Sequence, residues 1–259
     1  MSWPHFDSDH LIVTAAQMKN LEDHILSSGL PEEALMEKVG QSMTKWILGK
    51  KNILKNGVVV VVGPGHNGGD GLVIARELFL AGINVFIWCP LPLKKTLTIK
   101  HFNYIKWLGV TELQIAPDPS GNELWIDALF GLGQSKPLPN YLADLFKTRE
   151  RNQPKRLLSL DVPSGICSDS GICFKNGAAT ASFTLTVGLF KRGLIQDYAI
   201  PYVGTLVRFD IGIPSQMLIP FKKESTLRIS SSDLDSYKWP KPSPVASKYA
   251  RGRVLIIAG

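Results

Sequence analysis

The sequence predicts an α/β fold in which a mostly parallel central sheet is covered on both faces by helices, a three-layer αβα sandwich. Two observations predict it. Short apolar runs alternate with amphipathic helical segments between about residues 57 and 210. Such alternation sets strands side by side, with helices crossing over between them. In addition, three of the runs lead into turns rich in glycine or carrying a carboxylate: Gly63–Gly71, Asp127–Gly133 and Asp161–Gly165. In open α/β sheets the carboxyl ends of the strands line the binding crevice.

In chain order, Thr14 reads as the N-cap of a helix over Ala15–Ser28, with Met18, Leu21 and Ile25 at helical spacing. Pro31 opens a second helix to about Leu48, whose stripe is Leu35, Met36, Val39 and Met43. Gly57–Val62 has the composition of a buried strand. A helix follows from about Asp70 to Leu80, then a strand at Ile83–Trp88 and a helix at Lys95–Leu108. Glu123–Asp127 is a strand, Leu138–Arg149 a helix and Arg156–Asp161 a strand, with later strands at Thr184–Val187 and Thr205–Asp210. The region Pro214–Ser247 holds five prolines and a serine triplet, and reads as a linker. Beyond it, Arg253–Gly259 contains one more apolar strand, which either adds to the main sheet or begins a second domain.

Composition narrows the function classes. A chain of 259 residues has room for one large domain, or one domain and a piece of another. With 44% hydrophobic and 20% charged residues it is neither disordered nor fibrous, and three cysteines exclude a disulfide scaffold. The apolar run Val58–Val62 falls far short of the ~20 residues of a membrane span. Met1–His10 has neither a basic nor an apolar leader region, so no signal peptide is expected. Cys89, Cys167 and Cys173 form no C-x-x-C pair, which suits a reducing, cytoplasmic setting. Of the net charge of +7, most lies after Pro220, where eight basic residues face three acidic ones. The body is nearly balanced, which argues against a nucleic-acid surface.

Gly63, Gly65 and Gly68 satisfy G-x-G-x-x-G after a strand and at a helix start, where backbone N–H groups and the helix dipole favour phosphate. No Lys-Ser/Thr follows, so this is not a Walker loop. The next strand ends Trp88-Cys89-Pro90 without the acidic residue of a standard dehydrogenase. Asp70 is read either as a carboxylate favoured by the helix dipole or as a ligand to a ribose hydroxyl. Asn67, Asp127 and Ser164 offer oxygen donors only, a set suited to a hard cation and compatible with a monovalent one.

At these residues the chain resembles the NAD(P)H-hydrate epimerase family, the YjeF N-terminal domain. The resemblance rests on Gly63–Leu72, Asp127–Gly133, Asp161–Gly165, Thr184–Leu194, Leu35–Gly40 and Tyr202–Pro214, and covers about residues 10 to 214. It implies a Rossmann-like fold, a homodimer, and interconversion of the R and S forms of hydrated NADH and NADPH, which carry a hydroxyl on C6 of the nicotinamide ring. It implies that His66, Asn67, Gly68, Gly69 and Asp70 hold the substrate together with Gly131, Leu132, Gly133, Gln134, Ser135, Lys136 and Pro137. Asp161 would contact the reacting end, and Asn67, Asp127 and Ser164 would bind potassium. The family usually has Asn where His66 stands.

Inverting a carbinolamine centre needs proton transfer and no redox partner, so Asp161 is the expected acid/base. Lys191 either assists it or is a surface lysine or phosphate contact. The resemblance divides the chain into an epimerase domain, residues 1–219, and residues 220–259, a linker with the first strand of an incomplete dehydratase domain. The competing reading is a non-catalytic nucleotide- or RNA-binding dimerisation module of the same fold.

Overall fold

The structure is a computed structural model and describes residues 6–223, 226–230, 233, 243–247, 249 and 255–256. Its elements are β1 (Ile12–Val13), α1 (Ala15–Ser27), α2 (Glu32–Leu48), α3 (Lys51–Leu54), β2 (Val58–Val62), α4 (His66–Leu80), β3 (Val85–Trp88), α5 (Thr96–Trp107) and β4 (Thr111–Glu112). There follow β5 (Leu124–Ala128), α6 (Asn140–Asn152), β6 (Leu157–Leu160), β7 (Phe183–Val187), β8 (Phe190–Lys191), α7 (Ile200–Val203), β9 (Thr205–Phe209) and α8 (Ser215–Leu218). Among the described residues no helix is long and apolar enough to cross a membrane.

Seven strands form one sheet in the order β4-β3-β2-β5-β6-β7-β9, and every neighbouring pair is parallel. The expected α/β sandwich is the observed one, with a sheet wholly parallel rather than mostly so. The order reverses between β2 and β5, and that switch point opens the crevice of a Rossmann-like fold. The valine run of β2 is explained by burial on both faces. Val58, Val60 and Val62 join a cluster with Val39 and Met43 of α2 and Leu72 and Leu78 of α4. Val59 and Val61 join Leu142, Ala143 and Phe146 of α6 on the other side. Central parallel strands therefore read as continuous apolar runs.

α4 begins at His66, four residues before the expected Asp70. Glycine is a poor helix former, which hides this start in the sequence. Here Gly68 is needed for clearance, because a Cβ on it would overlap the Gly63 carbonyl. A Cβ on Gly63 would in turn overlap the Leu129 carbonyl. The loops after β2 and β5 thus lie against each other through bare backbone.

Thr14 caps α1 with a full capping box: Gln17 N–H donates to Thr14 Oγ1 (3.2 Å) and Thr14 N–H to Gln17 Oε1 (2.8 Å). β1 pairs with β8 through Ile12 and Phe190, and Val13 and Lys191. Neither two-residue strand carries a readable alternation. The segment read as a linker begins as structure, since α8 buries Leu218. Leu227 bridges Leu11, Ile12 N–H donates to Thr226 O (3.0 Å) and Arg228 N–H to His10 O (2.8 Å). Of the apolar strand expected at Arg253–Gly259, only Leu255 and Ile256 are described. Both are exposed and in no strand, and the rest lies outside the described residues.

Candidate active site

A cavity of ≈ 360 Å³ lies at the carboxyl edge of the sheet. Its walls are Pro64, Gly65, His66, Asn67 and Asp70 from the β2–α4 turn, Leu129 to Gln134 from the loop after β5, Asp161 after β6, Val187 at the end of β7, and Glu22 of α1. The expected convergence of three loops is what the fold produces.

Asp161 is the best-supported group in it. Its backbone is left-handed, φ +60°, a conformation Asp tolerates better than most residues. The turn is held by its N–H donating to Leu185 O (2.7 Å). Oδ1 accepts from Lys191 Nζ (2.5 Å) and from Val187 N–H (3.3 Å). Oδ2 accepts from Leu132 N–H (2.8 Å) and faces Gly131, leaving an acceptor direction toward the cavity. Lys191 is 1% exposed, which excludes the surface-lysine reading. Its ammonium also donates to Thr186 Oγ1 (3.0 Å) and to Val187 O.

Two further carboxyls face the same space, and neither has a hydrogen-bond partner among the described residues. Burial, with the Asp161 and Glu22 charges beside it, pushes Asp70 well above the usual carboxylate range. Burial pushes Glu22 up to about 7. The Lys191 ammonium opposes this, while Asp161 and Asp23 add to it. Asp70 stands in the second turn of α4, not at its first residue.

Glu22 is absent from the sequence-based site. It sits on the flank of an amphipathic helix, one residue beyond buried Leu21, where a carboxylate reads as solvated. Its placement has a thermodynamic consequence. A carboxyl whose folded-state value lies above its unfolded value of 4.5 binds its proton more tightly when folded. Stability then falls as pH rises from about 4.5 to 7. Glu22→Gln is expected to match the parent at pH 4 and to exceed it by about 2 kcal/mol at pH 8, solvent at the half-buried carboxyl moderating the difference. Urea denaturation at the two pH values measures the difference, and equal stability at both would refute it.

Asp127 and Ser164 meet directly, but beneath the cavity wall. Asp127 is fully buried. Its Oδ1 accepts from Ser164 Oγ (2.7 Å) and Leu129 N–H (3.2 Å), and its Oδ2 from Ser164 N–H (2.8 Å) and Ser159 Oγ (2.9 Å). Ser164 Oγ accepts from Phe130 N–H (3.1 Å). Burial raises the Asp127 carboxyl, and these hydrogen bonds oppose the shift. Asn67 stands on the cavity wall across Gly131, and its Nδ2 is buried without a partner. That orphaned amide nitrogen, and a buried carboxylate with no basic side chain bonded to it, fit an oxygen-ligated monovalent cation. Turning the Asn67 amide would replace a stranded donor with a ligand oxygen.

The remaining expected residues divide. Gln134 lines the cavity, but its side chain is engaged: Oε1 accepts from Gly165 N–H and Nε2 donates to Ile166 O, both at 2.8 Å. Leu132 contributes backbone, donating to Asp161 and accepting from Ser168 Oγ (3.0 Å). His66 pairs with Glu32 at 3.2 Å on the exposed rim. Gly68 and Gly69 are buried inside the α4 wall, Gly69 against Met36. Ser135, Lys136 and Pro137 are exposed and lie off the cavity wall.

Comparison with known proteins agrees with this geometry. The family model described as YjeF-related protein N-terminus matches residues 32–193. The bifunctional NAD(P)H-hydrate repair enzyme Nnr of Gloeobacter violaceus is 37% identical over 256 residues, covering 96% of this chain and 50% of that protein. The NAD(P)H-hydrate epimerase of Limosilactobacillus fermentum is 32% identical over 203 residues, covering 76% of this chain and 95% of its own length. The crystal structure of yeast ynu0, YNL200c, shares the fold with a TM-score of 0.62 at 21% identity, over 70% of this chain and 82% of the yeast one. The chain spans about half the length of the bifunctional relatives it matches.

Proposed function

This chain belongs to the YjeF-related N-terminal family, and from that premise we propose that it interconverts the R and S forms of hydrated NADH and NADPH. The observation that carries the reading is Asp161, fixed by Lys191 at one oxygen and open to the cavity at the other. The first turn of α4 offers free N–H groups for the pyrophosphate beside it. Inversion at C6 proceeds by opening of the N1–C6 bond and reclosure on the other face, with Asp161 exchanging the proton of the C6 hydroxyl. Lys191 positions that carboxylate.

Asn67, Asp127 and Ser164 would hold potassium in this reading, supported by the stranded Asn67 amide and the buried Asp127 charge. The ion would supply positive charge beneath the loop after β5. We further propose a homodimer in the cytoplasm. Residues 220–259 read as the start of a fused dehydratase domain, supported by matches to bifunctional relatives over 96% of the chain. The binding-module alternative is disfavoured by the Asp161–Lys191 pair at the cavity, an arrangement that a purely binding surface does not require.

A coupled assay tests the function. The R form of hydrated NADPH is supplied with excess S-specific dehydratase and ATP in potassium buffer, and recovery of reduced-nicotinamide absorbance is followed. The protein is expected to accelerate recovery. Asp161→Asn, whose side chain tolerates the left-handed turn, is expected to lower the rate by about 10²–10⁴-fold. A folded Asp161→Asn at the parent rate would remove Asp161 from the chemistry, and an inactive parent would leave the binding module.

A further inference from the structure

Opening a carbinolamine ring moves two protons, and one carboxylate accounts for one of them. We propose that Glu22 is the second acid/base of this site, delivering a proton to the ring nitrogen while Asp161 removes one from the hydroxyl. The inference rests on the epimerase reading and deepens it.

Several observations point to Glu22. It projects from α1 into the same cavity as Asp161. Its carboxyl makes no hydrogen bond among the described residues, so no structural duty accounts for its burial. Its helix is anchored at its N-terminal end. The capping box sets its first turn, Ala15 N–H donates to Asp169 Oδ1 (2.7 Å), and β1 pairs with β8, the strand of Lys191. The charged groups facing Glu22 are Lys191 from β8, Asp161 after β6 and Asp70 from α4, with Lys19 and Asp23 on its own helix.

The environments of Glu22 and Asp161 separate their roles. Asp161 accepts from an ammonium and two backbone N–H groups. Glu22, pushed to about 7 by burial, exists in both forms near neutrality. Two carboxyls held in such different surroundings suit the two roles of a proton-transfer site.

The step balances. Asp161 Oδ2 takes the C6 hydroxyl proton and the C6–O bond becomes a carbonyl. The C6–N1 bond breaks with its electron pair going to N1, which takes the proton from Glu22. Rotation about the C5–C6 bond presents the other carbonyl face. The N1 lone pair then attacks C6 as the N1 proton returns to Glu22, and the oxygen recovers its proton from Asp161. Both carboxyls end as they began, and nothing is oxidised or reduced.

The test compares the parent with Glu22→Gln in the coupled assay from pH 5.5 to 9. The parent rate should fall above about pH 7, as the acid form of Glu22 is lost. Glu22→Gln should be slower by about 10²-fold or more and lack that limb. A Glu22→Gln rate within threefold of the parent, with the limb retained, would overturn the Glu22 role while the epimerase stood. A parent without activity would overturn both. A second measurement does not depend on the variant folding. Carbon-13 NMR of the parent's glutamate carboxyls should find Glu22 titrating near 7, and a midpoint in the ordinary carboxylate range would also overturn the proposal.

Discussion

Lys191→Met is expected to destabilise the protein by about 3–5 kcal/mol, the range found when one partner of a buried ion pair is removed. The two side chains are 1% and 10% exposed, so solvent screens the pair little. Methionine fills much of the space of the lysine stem. The loss is therefore electrostatic: Asp161 keeps the Leu132 and Val187 N–H groups and loses the Lys191 ammonium. The double variant Lys191→Met/Asp161→Asn should recover part of the loss, because it leaves no uncompensated buried charge. Urea denaturation of the single and double variants gives the coupling directly. A single-variant loss below about 1 kcal/mol would show that the pair is not buried as described.

Asp127→Ala is expected to cost about 2–6 kcal/mol. It strands two buried backbone donors, Leu129 N–H and Ser164 N–H, at about 1–3 kcal/mol each. The Ser159 and Ser164 hydroxyls can turn to other acceptors and add less. Asp127→Asn should fall between Ala and the parent. Each carboxylate oxygen accepts one backbone N–H and one hydroxyl, so either orientation of the amide sets its NH2 against a backbone donor. The order parent, Asn, Ala in denaturation midpoint is the expected result. An Asn variant as stable as the parent would contradict the four-donor arrangement.

Much of this molecule is legible from residue types alone. The five valines of β2 announce a strand buried on both faces, and Asp127 and Asp161 mark strand ends at the crevice. What stays hidden depends on contacts distant in sequence. Lys191 looks like any surface lysine until β1 pairs with β8 and Asp161 turns toward it. Glu22 looks solvated because helical periodicity records which face is apolar, not what another loop brings to its flank. The start of α4 at His66 is masked by glycines that short-range propensity counts against a helix. Those glycines are required by the backbone of β2 and β5, which no local rule sees. That the Gln134 amide on the cavity wall also braces two loops stays hidden for the same reason.

The bridge between Leu11 and Leu227 bears on how the domain can be cut. Every strand of the main sheet lies before residue 210, so a chain trimmed at residue 219 keeps the whole sheet. It loses Thr226 and Arg228, whose backbones hold Ile12 and His10, and those residues lead directly into the helix that carries Glu22. A boundary drawn at the last strand would remove the backbone partners of the residues that lead into the Glu22 helix, which the sheet does not itself supply.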